Sequence, residues 1–122
     1  MENVSLRSRR VSNDMINVRA ALDELQKELQ KIYAGHAPAL LVYGSYARGE
    51  ASADSDVDVL LLYPHNVQPG REIYRLREIL SALNLRYQTL ISILPVDEHQ
   101  YQNSQATFWK NIRKETVIIE RI

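Results

Sequence analysis

From Met15 onward, apolar residues recur at alternating steps of three and four: Met15, Val18, Leu22, Leu25, Leu29 and Ile32. That spacing places them on one stripe of a long helix. Ser12, Asn13 or Asp14 supplies a cap at its start and Gly35 a stop at its end. The stripe suits a helix packed on a sheet, and a sustained repeat of this kind also suits a seam with a partner helix. Residues 38–43 are then almost continuously apolar, the pattern of a strand buried on both faces. A short helix is predicted over 45–48, a polar loop over 50–55 and a second strand over 57–63. Pro64-His65-Asn66 and Pro69-Gly70 bracket the turn that follows. Ile73, Leu76, Leu80 and Leu83 form a second helical stripe over about 71–84, with Arg71, Arg75 and Glu78 on its outer face. Residues 85–96 read as a third strand. Tyr87, Thr89, Ile91 and Ile93 fall on one face, Gln88, Leu90, Ser92 and Leu94 on the other, and Pro95 marks an end or an edge. Residues 97–115 look helical in pieces, and 116–119 form a last short strand. The expected fold class is α/β (α+β), with a small mixed sheet of about four strands and helices packed mainly on one face. Residues 1–122 are expected to form one domain, with 1–10 a flexible arm.

Composition narrows the function classes. With 122 residues and 45% hydrophobic content the chain can build one ordinary core. Fifteen basic residues balance fifteen acidic ones, so no overall field favours nucleic acid or a membrane surface, and direct nucleic-acid binding is not expected. The absence of cysteine excludes disulfides, thiolate metal sites and thiol nucleophiles, and fits the cytosol. No apolar run approaches the roughly 18 residues of a membrane span, and the first ten residues lack the apolar core of a signal peptide. The expected location is the cytoplasm. Arg7, Arg9 and Arg10 make the arm locally basic, a solvated end or a contact for RNA or an acidic partner. Phe108-Trp109 beside Lys110, Arg113 and Lys114 is able to stack a base or bind RNA, but its spacing better suits a helix sealed against the sheet. His36, His65 and His99 share no metal-ligand spacing.

The candidate chemistry lies between the first two predicted strands, in Gly-Ser-Tyr-Ala-Arg-Gly-Glu-Ala-Ser-Ala-Asp-Ser-Asp-Val-Asp-Val-Leu over residues 44–60. Asp56 and Asp58 sit two apart at the mouth of a strand and so project to one side of a sheet. Two carboxylates that close repel unless a cation lies between them. Oxygen ligands in such a pair suit Mg²⁺, which takes one or two carboxylates plus substrate phosphates. The Gly44-Ser45 turn lets backbone N–H groups approach a phosphate. Two other motifs fail here. The P-loop pattern needs Lys-Ser/Thr where Glu50-Ala51 stands, and the EF-hand pattern needs Gly and Glu where Val59 and His65 stand.

Gly44-Ser45, ten residues, then Asp56-Val57-Asp58 resembles the GSx10DxD signature of nucleotidyltransferases with the DNA polymerase β fold. The small size, with Gly-Ser-x-Ala-Arg-Gly running on to Ser-Asp-x-Asp, resembles the minimal nucleotidyltransferases (MNT) that act as antitoxins beside HEPN-domain toxins. The resemblance implies catalysis by Asp56, Asp58 and Ser45, nucleotide binding by Gly44, Ser45, Arg48, Asp56 and Asp58, and Mg²⁺ held by Asp56 and Asp58. It implies transfer of AMP from ATP to a tyrosine of a cognate HEPN ribonuclease toxin, which inactivates the toxin. The family places a third carboxylate on a neighbouring strand. Residues 85–96 contain no acid, so Gln88 is the expected occupant of that position, with Asp97 or Glu98 as substitutes if the strand is offset. An amide accepts a metal through its carbonyl oxygen but takes no proton. The alternative is therefore a catalytically impaired antitoxin of the same fold that neutralises its toxin by binding alone.

Overall fold

The computed structural model describes residues 13–52 and 54–118. The expected arm over 1–10, the Ser12 cap, the Met15 side chain and the Ile119 end of the last strand lie outside what is described. The elements in chain order are α1 (Asn13–Tyr33), β1 (Ala39–Tyr43), α2 (Ser45–Arg48), β2 (Val57–Tyr63), α3 (Pro69–Tyr87), β3 (Ile91–Asp97), α4 (Glu98–Asn103), α5 (Thr107–Glu115) and β4 (Val117–Ile118). The mixed sheet runs β3-β2-β1-β4. β1 is antiparallel to β2 and β4, and β3 is parallel to β2. It is three full strands plus a two-residue fourth, slightly less than four.

Alternation along the strands gives the sheet two cores. Leu40, Val42, Val57, Val59, Leu61 and Tyr63 meet α1 and α3 in the larger one, where Val18, Leu22, Leu25 and Leu29 of the first stripe are buried. Leu41, Leu60, Leu62 and Val96 form a smaller cluster on the other face, joined by Ile112 and flanked by Tyr101 and Trp109 of α4 and α5. Trp109 thus seals α5 against the sheet, whereas Phe108 is exposed and meets Trp109 edge-on.

The third strand starts later than the sequence suggests. α3 runs on to Tyr87, and Gln88 ends it in a left-handed conformation (φ 54°), its N–H on the Asn84 carbonyl. Asn84 organises the turn, its Oδ1 accepting from Thr89 Oγ1 at 3.1 Å and from the Ile91 N–H at 2.9 Å. Leu85 and Leu90 imitated a strand because they are apolar, yet both are exposed. The second stripe is corrected at its first position, since Ile73 is exposed and Glu72 is buried instead. The Tyr33 hydroxyl donates to Glu72 and lies 3.1 Å from that of Tyr63, which meets the hydrogen-bonding demand of a buried acid.

α1 and α3 are also tied at the surface. The Tyr87 hydroxyl donates to Glu24 Oε1 at 2.6 Å and Arg86 pairs with Glu24 Oε2. The Tyr87 hydrogen bond, then that of Arg86, holds the Glu24 carboxyl below its ordinary value. A depressed folded-state value adds stability above the unfolded value, and that stability is lost as pH falls through the folded one. Glu24→Gln is therefore expected to lower the denaturant midpoint at neutral pH and to flatten its fall on acidification. Parallel acid profiles for variant and wild type would show that the pair contributes nothing.

Candidate active site

The carboxylates are delivered by strand register. Val57 and Val59 are buried in the larger core, so Asp58 between them points to the opposite face. β1 brings Tyr43 opposite Asp58, and the chain turns at the next residue. Gly44 there has φ 77° and ψ −153°, a conformation open to glycine alone. A Cβ added to it would stand 2.3 Å from Asp58 Oδ2. The glycine is thus required twice, by the turn and by the carboxylate packed on it. α2 follows at once, anchored by the buried Tyr46, and Gly49 ends it at φ 75°.

Burial, then the nearby charge of Asp56, raises the Asp58 carboxyl above its ordinary value; Arg48 opposes this and Glu115 adds to it. Burial, then Asp58 and Glu115, likewise raises the Tyr43 hydroxyl. Negative charge thus gathers at the end of two strands, an arrangement that a bound cation would relieve. Among the described residues no three His, Cys, Asp or Glu side chains gather to hold an ion together. Asp56 and Asp58 are the two acids that would hold a cation here, and a pair of carboxylates fits Mg²⁺, which takes its remaining oxygens from water and substrate.

Gly44, Ser45, Arg48, Asp56 and Asp58 are therefore brought together at one end of β1 and β2 by the turn, α2 and the strand start. Gln88 is not. It caps α3 and lines a 170 Å³ cleft with Val18, Tyr46 and Val57, on the helix side of the sheet. The β3 residue beside Asp58 is Ser92, a hydroxyl where the resemblance expects a carboxylate. Asp97 pairs with Tyr63 at the far end of the same two strands. That is about 16 Å from Asp58 at a strand's rise per residue, so neither Asp97 nor Glu98 substitutes.

Sequence reading missed Glu115, the last residue of α5. Its Oε2 accepts from the Gly44 N–H at 2.9 Å and its Oε1 lies 3.2 Å from Arg48 Nη1. Arg48 also meets Glu50, with Nε 2.9 Å from Oε1, and the two acids, Glu50 first, raise its guanidinium further above its ordinary value.

A family model described as "Nucleotidyltransferase domain" matches residues 19–118. The chain belongs to the nucleotidyltransferase family. Two proteins from Methanocaldococcus jannaschii are similar to it in sequence. "Putative protein adenylyltransferase MJ0141" is 34% identical over 71 residues, 58% of this chain and 71% of that one. "Putative protein adenylyltransferase MJ0604" is 24% identical over 101 residues, 82% and 95% of the two chains. Among solved structures, a "putative nucleotidyltransferase from Sulfolobus solfataricus" superposes with a TM-score of 0.58 at 15% identity, covering 89% of this chain and 87% of its own. Another, described as a "putative minimal nucleotidyltransferase", gives 0.50 at 20% identity over 81% and 93%. Both establish the fold of this nucleotidyltransferase as theirs. No helix among its described residues is long and apolar enough to cross a membrane.

Proposed function

We propose that the protein is a Mg²⁺-dependent adenylyltransferase that moves AMP from ATP to a tyrosine of a cognate HEPN ribonuclease toxin, and so acts as an antitoxin. The packing of Asp58 directly on Gly44 carries this reading, because it sets the carboxylate pair against the turn that would hold phosphates. The names of the two archaeal relatives support a protein as acceptor, and the motif with the small size supports the antitoxin role. In the proposed reaction the tyrosine oxygen bonds to the α-phosphorus, the bond from that phosphorus to the α,β-bridging oxygen breaks, and pyrophosphate leaves while the tyrosine proton passes to solvent. Mg²⁺ on Asp56 and Asp58 would supply charge neutralisation for the triphosphate and the leaving group. The chain's own contribution is position: the Gly44-Ser45 backbone and the Ser45 hydroxyl hold the β- and γ-phosphates, and the strand mouths hold the α-phosphorus in line with the acceptor.

Ser92 beside Asp58 favours one second reading, an antitoxin that binds its toxin without modifying it. Incubation with α-labelled ATP, Mg²⁺ and a HEPN protein encoded beside this one separates the two. Label on a toxin tyrosine is the expected result. A tight complex with no label would leave binding alone as the function.

A further inference from the structure

The groups of the turn best suited to an anion already hold one. Glu115 takes the Gly44 N–H with one carboxylate oxygen and Arg48 with the other, a two-oxygen grip on a backbone donor and a guanidinium that a phosphate would also make. The placement is built in from both sides, by the helix α5 that Glu115 ends and by the residues that follow it. β4 pairs with β1 so that Val117 faces Val42, two residues before Gly44. The hydroxyls of Tyr101 and Thr116 meet at 2.6 Å beside it. With the backbone fixed on either side, the side-chain torsions are what remains to move. The side chain is 21% exposed, so solvent and solutes reach it.

We propose that Glu115 occupies the seat of the nucleotide's phosphates at Gly44 and Arg48 in the free protein, and that the triphosphate enters by exchanging with it. The proposal rests on the nucleotide-binding reading of the site. Arg48 serves Glu50 and Glu115 at once, but the single Gly44 N–H cannot serve two anions without strong repulsion between them, so the carboxylate must rotate out as the phosphate arrives. The contact then sets a threshold: a weakly bound monoanion does not dislodge Glu115, whereas a triphosphate, with more charge for Arg48 and the cation site, does. The competing duty for Glu115 is that of a third acid in the cation site. Both of its oxygens are engaged elsewhere, however, and it joins no three-acid cluster among the described residues.

The test compares the full chain with Glu115→Gln and Glu115→Ala by titration calorimetry, using Mg-ATP and, without metal, inorganic tripolyphosphate. Thermal unfolding confirms the fold of each variant, and if the alanine form does not fold the glutamine form decides. Removing the resident anion is expected to tighten tripolyphosphate binding about ten-fold, the exchange of one charge-assisted hydrogen bond. The effect should be smaller for glutamine, whose amide oxygen still accepts from Gly44. Unchanged or weaker tripolyphosphate binding in the folded variants overturns the proposal. If Mg-ATP binding alone weakens, Glu115 belongs to the cation site and the proposal fails in favour of that role. Should wild type and variants all bind neither probe, the nucleotide reading of the site fails, and the exchange with it.

Discussion

Gly44→Ala is expected to lower stability by about 3 kcal/mol and to abolish nucleotidyl transfer. The added methyl would occupy space 2.3 Å from Asp58 Oδ2, 3.2 Å from its Cγ and 3.3 Å from its Cβ. The backbone would also have to leave a φ of 77° that L side chains rarely adopt. Relief requires the turn to open or Asp58 to swing away, and either one separates the phosphate-binding backbone from the carboxylate pair. Gly70→Ala is the matched control, since a Cβ there meets nothing within 4 Å and the residue lies in the first turn of α3. It is expected to be neutral or to stabilise by up to about 1 kcal/mol. Urea denaturation and label transfer on both variants check the pair. A Gly44→Ala protein as stable and active as wild type would show that the close approach of turn and carboxylate is dispensable.

Replacing both acids, in Asp56→Asn/Asp58→Asn, should cost transfer at least about a thousandfold while leaving the fold intact or stabilising it. The opposite signs have one cause. Asp58 carries a carboxylate under both a burial penalty and the repulsion of Asp56, an arrangement that favours a cation and disfavours the empty folded state. An amide pair relieves the repulsion and cannot neutralise a triphosphate. Mg²⁺ should accordingly raise the melting temperature of the wild type and not that of the double variant. Joint loss of folding and transfer would instead make the pair structural, and an unchanged transfer rate would remove these acids from the chemistry.

Much of this site was legible in the sequence because its determinants are local. Strand period and apolar runs place β2 at Val57–Tyr63 and α2 at Ser45–Arg48, and the two aspartates follow from the same register. What failed was non-local or turned on exposure. The start of β3 was misread because Leu85 and Leu90 are apolar but solvent-facing, and a periodicity argument takes every leucine as buried. With β3 begun at Ile91, the neighbour of Asp58 becomes Ser92 and not Gln88. Glu115 was hidden among Arg113, Lys114 and the other charges of a polar helix. The one available signal was its place just before the last short strand, which, paired antiparallel beside β1, must start next to the Gly44 turn.

The contact between Gly44 and Glu115 spans 71 positions in sequence, whereas Gly44 and Asp58 are separated only by the connection between two antiparallel neighbours, β1 and β2. Loop-closure entropy makes contacts of such long separation late to form. The α1–β1–β2–α3 core can therefore consolidate first, with its acidic strand ends and phosphate-binding turn already formed. The carboxylate from α5 is expected to reach that turn in one of the last steps of folding. A chain leaving the ribosome is then expected to pass through an interval in which the turn is built and the Glu115 carboxylate does not yet sit on it.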